Sequence, residues 1–119
     1  MRFYIPIQLV SLLNERFHWR KLVKVKKKQK LATKRSMSGK QVPPLPLLVI
    51  ITRVGKRVLD DDNLATSAKY IRDQIAEIIG VDDGSPLYTW RYEQRTSASE
   101  RYGVEVEITT RINNYERLD

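Results

Sequence analysis

Residues 58–84 read VLDDDNLATSAKYIRDQIAEIIGVDDG, and the way this stretch is parsed decides the fold. Leu64, Ala68, Ile71, Ile75 and Ile78 recur at three- to four-residue spacing, which predicts a helix over Asn63–Ile79 with one apolar stripe. Asp62 is a suitable N-cap, and Gly80 supplies the left-handed stop. Acidic clusters flank this helix: Asp60-Asp61-Asp62 ahead of it and Asp82-Asp83 behind it.

On either side of the helix the hydrophobic period changes to two. Leu47–Ile51 is a continuous apolar run extended by Thr52, Arg53 and Val54, the pattern of a central strand covered on both faces. Leu87–Arg95 and Tyr102–Thr110 alternate, with Thr96–Arg101 read as the loop of a hairpin between them. Further upstream, Phe3, Ile5, Ile7 and Leu9 share one face of a first strand, and Pro6 places that strand at an edge. Leu12 to about Arg35 holds neither Gly nor Pro and reads as a basic helix. Gly39, Pro43, Pro44 and Pro46 mark a linker over 36–46. The expectation is an α+β domain spanning residues 1–119, with a small mixed sheet and two helices in the order β-α-β-α-β-β. Its basic strand and helix occupy 1–40, and the core that carries the acidic clusters occupies 47–110.

Charge is distributed unevenly. Residues 1–40 hold 12 Lys and Arg against Glu15 alone, whereas 41–119 hold 10 against 13 acids. That asymmetry points to a polyanionic partner for the first part. Arg16, Arg20, Lys24, Lys27 and Lys34 fall on one helical stripe suited to tracking phosphates, and Arg72 joins them as a DNA-contact candidate. A membrane-surface helix would need more large apolar residues than 21–35 provides. The apolar run 43–51 is too short to span a bilayer. Met1–Leu13 lacks a small-residue cleavage site and is read as strand and loop rather than as a signal segment. The absence of cysteine removes disulfides, thiolate zinc sites and a cysteine nucleophile, and fits a cytoplasmic setting.

Three adjacent carboxylates repel unless a cation or a helix end offsets them. If Asp60–Asp62 leaves a strand, Asp60 and Asp62 point the same way. Two carboxylates at a helix start suit an octahedral, oxygen-loving ion, and a water held by that ion could attack phosphorus. The competing account is structural: one or two of the acids cap the helix, and Asp82-Asp83-Gly84 forms a turn. Lys69, two turns beyond Asp62, is either a phosphate-holding cation or a solvent-facing helical residue.

Taken together, Asp60-Asp61-Asp62-Asn63-Leu64, Lys69, Arg72-Asp73 and Gly80-Val81-Asp82-Asp83-Gly84 resemble the core signature of RusA-type Holliday junction endonucleases. The resemblance covers about residues 47–110, and more loosely 14–20. It implies a Mg2+-dependent homodimer that cuts four-way or related branched DNA. The family's metal-holding aspartates map to Asp60, Asp62 and Asp83, with Asp82 as the alternative third ligand. The family's catalytic lysine falls where this chain has Thr66, so Lys69, one turn on, is the candidate here. Such proteins are often phage-borne. A helix of this length separates the two acidic motifs by roughly 25 Å. The expectation is therefore a site shared between chains, with Asp83 coming from a second copy. The alternatives are a non-catalytic basic DNA-binding module or an inactive regulator. His18, Phe17 and Trp19 read as packing residues first, and so does Trp90 with Tyr88 and Tyr92.

Overall fold

Leu47–Gly55 (β2) lies inside the sheet, hydrogen-bonded along both edges. The computed structural model describes residues 1–12, 19–97, 99 and 101–112. On one side β2 pairs in parallel with Tyr88–Thr96 (β3), from Leu47 opposite Tyr88 to Gly55 opposite Thr96. On the other it pairs antiparallel with Gly103–Thr110 (β4), which also pairs with Arg2–Ile5 (β1). The sheet order is β1-β4-β2-β3. Among the described residues three helices complete an α+β fold: Trp19–Met37 (α1), Asp61–Ser67 (α2) and Lys69–Ile79 (α3).

This topology corrects the expected hairpin. β3 and β4 flank β2, so Thr96–Arg101 joins strands that are not neighbours. Alternation and a short connection are all that a hairpin reading has to go on. β2, with its continuous apolar run, and β4 take the two inner places, where both edges are paired. The chain from β2 through α2 and α3 to β3 is then a parallel crossover, which requires an intervening helix of this kind.

The helices cover one face of the sheet. Leu47, Val49 and Ile51 are buried on β2, as are Val104, Val106 and Ile108 on β4 and Phe3 and Ile5 on β1. Ile71 and Ile75 of α3 join them in the core. Leu48, Ile50 and Thr52 point the other way and remain half-buried, so β2 is covered on one face and not on both. β1 is the edge strand expected from Pro6, although it ends at Ile5; Ile7 N–H then donates to the Ile5 carbonyl (2.9 Å). Ile7 and Leu9 stay buried beyond the strand's end.

The helix expected over Asn63–Ile79 begins earlier and is broken, giving three helices instead of two. Asp60 is the N-cap, not Asp62, and Ala68 (φ −99°, ψ 7°) separates α2 from α3. The break has a local cause. Ser67 Oγ donates back to the Leu64 carbonyl at 2.7 Å, a bond that bends helices. The Ser67 carbonyl is in turn taken by Gln29 Nε2 of α1 at 3.0 Å. The shifted phase leaves Ile78 exposed and buries Ala76 in its place. Gly80 ends α3 as expected, at φ 85°, with its N–H on the Ala76 carbonyl.

The basic helix is described over Trp19–Met37 and buries Gln29, Thr33 and Met37; residues 13–18 of its expected span lie outside the described residues. Among the described residues no helix is long and apolar enough to cross a membrane.

If β2 is the centre of the core, Ile51→Ala removes a side chain that is 1% exposed. The expected loss is about 2–5 kcal/mol in urea unfolding. A loss below about 1 kcal/mol would place Ile51 outside a packed interior.

Candidate functional site

The segment leading to the acidic motif is tied down before it reaches Asp60. Arg53 of β2 is 6% exposed and donates through Nε to the Leu9 carbonyl (3.3 Å) and through Nη1 to the Arg57 carbonyl. Burial pulls its guanidinium pKa below the ordinary arginine value, with nearby Tyr102 acting in the opposite sense. Gly55 leaves room for this guanidinium, since a Cβ there would lie 3.1 Å from Nη1. Two residues later Gln94 of β3 takes hold of Leu59: the Leu59 N–H donates to Oε1 (2.9 Å), and Nε2 donates to the Leu59 carbonyl (2.6 Å). One side chain thus satisfies both backbone groups of the residue before Asp60.

Asp60 is itself engaged. Its Oδ1 accepts from the Asn63 N–H and its Oδ2 from Asn63 Nδ2, both at 2.9 Å. Asn63 is buried, and its Oδ1 accepts from Ser11 Oγ at 2.6 Å. Asp61 and Asp62 are exposed and occupy the first turn of α2, where they complement its positive end. The strand-like alternation expected of Asp60 and Asp62 is therefore absent: the first is a cap and the second is helical.

The second acidic pair folds back along α3. Asp82 Oδ2 accepts from the Gly84 N–H (3.0 Å), which is turn chemistry. Asp83 Oδ2 accepts from Arg72 Nε at 2.9 Å. The Asp83 carbonyl accepts from Arg72 Nη2 (3.1 Å) and from Trp90 Nε1 (2.9 Å). The Arg72 guanidinium also lies 4.7 Å from the Trp90 ring centre and donates to the Tyr92 hydroxyl at 3.2 Å. Burial works against the charged form of Arg72, but Tyr92 and then Asp83 outweigh it and raise its pKa. Tyr88, whose hydroxyl donates to the Val81 carbonyl, has its pKa raised by burial first and then by Asp83 and Asp82.

Both acidic motifs are thus strung along β3, one at Trp90 and the other at Gln94. Four strand residues separate these anchors by about 13 Å. The chain's own loop brings Asp83 back to Trp90 on β3. The return stops short of Asp60: among the described residues no group of three acids is placed to hold a metal ion. Lys69 opens α3 with its ammonium 5.9 Å from the Tyr70 ring centre. The break at Ala68 removes the two-turn relation to Asp62.

Arg20, Lys24, Lys27 and Lys34 are exposed on α1. Arg16 and His18 lie outside the described residues, as do Asn14 and Phe17. Arg72, expected among the DNA contacts, is instead committed to Asp83, Trp90 and Tyr92. The roles of Arg53 and Gln94 and the bonding of Asn63 to Asp60 were not among the features expected from sequence. A cation interrupting the apolar run of β2 was the visible signal for Arg53; an isolated Gln in an alternating strand offers none.

If Gln94 anchors the approach to Asp60, Gln94→Leu should lower stability by about 1–2 kcal/mol and accelerate amide exchange at Leu59. Unchanged exchange at Leu59 would mean the amide holds nothing. Compared with known proteins, the chain matches no family model, no curated protein and no solved structure.

Proposed function

We propose that this chain is a divalent-metal-dependent endonuclease of the RusA type, acting on four-way or related branched DNA in recombination and repair. The observation that carries this reading is a juxtaposition. The Asp60–Asp62 motif, held by Gln94 and Asn63, begins a helix pair whose junction packs against α1 through Gln29 and Ser67. α1 carries nine cations and no acid from Trp19 to Met37. A phosphate backbone drawn to such a helix would be brought alongside exposed carboxylates.

Mg2+ commonly uses only one or two protein carboxylates and keeps the rest of its shell for water and substrate phosphate. Asp60 and Asp62 meet that need, because a carboxylate has about four acceptor positions and capping occupies only part of them. A bound ion would supply charge stabilisation at the phosphate. The RusA resemblance adds a homodimer, a cytoplasmic setting and a phage or prophage source to the proposal. In that reading Lys69 is the candidate phosphate-holding cation.

One observation favours the non-catalytic reading: Asp60, Asp82 and Asp83 each have a structural role as cap, turn former and arginine partner. Incubating the full chain with a synthetic four-way junction in Mg2+ or Mn2+ separates the two. The expected result is paired nicks, lost at least about a hundredfold in Asp62→Asn while junction binding persists. Binding without cleavage in either metal would make the chain a DNA-binding module or an inactive regulator.

The role given to α1 has its own test. Lys24→Ala with Lys27→Ala should flatten the dependence of log affinity on log salt by about 2. An unchanged slope would take these lysines out of the phosphate contact.

A further inference from the structure

Asp83 cannot be separated from its surroundings by a small movement. Its carboxylate is held by Arg72 Nε, and its carbonyl by Arg72 Nη2 and Trp90 Nε1, so releasing the residue breaks three hydrogen bonds. Arg72 would then be left against the Trp90 ring with its side chain only 28% exposed and its carboxylate partner gone. A part-buried guanidinium stripped of its anion is costly, and the planar fork of Arg72 has three of its donor contacts in this cluster. A Mg2+ ligand must approach to about 2.1 Å, whereas the anchors of Asp83 and Leu59 on β3 stand about 13 Å apart.

We infer that Asp83 serves Arg72 and not a metal ion. Arg72, Asp83, Trp90 and Tyr92 form a clasp that fixes the return from α3 to β3, leaving the candidate ion site to Asp60 and Asp62 alone. The clasp acts through β3. It locks Trp90 and Tyr92 on the face whose next member, Gln94, holds Leu59 beside Asp60. Asp83 and Arg72 are on this account positioning residues.

Only the metal part of this inference rests on the proposed endonuclease reading, and the two can fail separately. The experiment uses the full chain carrying Trp19→Phe, so that Trp90 is the one emitting indole. Mn2+ binding is followed by electron paramagnetic resonance, and Trp90 emission is recorded in the same titration. Asp83→Asn and Arg72→Met should each shift Trp90 emission to the red, and the double variant should shift it no further than either alone. Asp83→Asn should hold Mn2+ within about twofold of the parent. Asp62→Asn should weaken Mn2+ binding by about tenfold or more. Arg72→Lys, which keeps the charge but not the fork, should recover only part of the emission.

The inference is overturned if Asp83→Asn costs about tenfold in Mn2+ affinity, or if Mn2+ quenches Trp90 in the parent protein. It is equally overturned if the two emission shifts add. If Arg72→Met fails to fold, the comparison of Asp83→Asn with Arg72→Lys decides the same point. Should the parent bind no Mn2+, the ion site at Asp60 and Asp62 falls, and the clasp stands or falls on the emission shifts alone.

Discussion

The arrangement depends on β2 being hydrogen-bonded along both edges while only one of its faces is buried. A strand in that position needs a partner on each side, and here the partners run in opposite directions. The parallel partner, β3, is reached only through a crossover, so the chain between β2 and β3 must lie across the sheet. That crossover is α2 and α3, and its two ends are where the acidic motifs fall. Asp60 stands at the exit from β2, and Asp82 and Asp83 stand at the approach to β3. The acids are neighbours of the same strand pair because of topology, not because of any attraction between them.

The helix break refines this placement. An uninterrupted helix would carry one apolar stripe from Leu64 to Ile78 and hold the two motifs a full helix length apart. Ser67 Oγ bonds back to Leu64 at the break, and Gln29 of α1 takes up the Ser67 carbonyl. The basic helix is thereby attached at the joint between α2 and α3. Its inner face packs through Gln29, Thr33 and Met37 while its cations stay outside, apart from pairs such as Lys30 with Glu77 at 3.2 Å. The charge asymmetry of the chain therefore becomes an asymmetry of the folded surface, with the cationic helix on the same side of the sheet as the acids.

Much of this was legible in the sequence because it depends on local rules. The edge position of β1 follows from Pro6, the end of α3 from Gly80, and the buried faces of β1 and β4 from alternation, whereas the unbroken apolar run of β2 hid that only one of its faces is covered. The helix break was hidden. Its local half, Ser67, is an ordinary helical residue until a long-range partner takes its carbonyl, and Gln29 lies 38 positions away. The hairpin failed for a related reason: alternation identifies a strand but says nothing about which edge it takes. Gln94 was illegible altogether, since an amide that pairs with the backbone of a distant loop leaves no periodic trace. The Asp62 cap failed by two residues because any of three adjacent acids satisfies a capping rule, and only the Asn63 side chain, closing on Asp60, selects one.

That selection bears on how an acidic motif is to be interpreted. A carboxylate that caps a helix, closes a turn or neutralises an arginine has a sufficient reason to exist, and Asp60, Asp82 and Asp83 each have one. The reasons differ in what they leave over. The cap bonds each oxygen of Asp60 once to Asn63, and a carboxylate has about four acceptor positions. The Asp83 clasp uses the carboxylate and the backbone carbonyl together, and its cation is partly buried and stacked on an indole. Asp62 stands exposed in the first turn of α2, where the positive helix end favours its charge. The two ends of one crossover therefore differ in charge balance: Asp62 is exposed at a helix start, whereas the carboxylate of Asp83 is neutralised by Arg72.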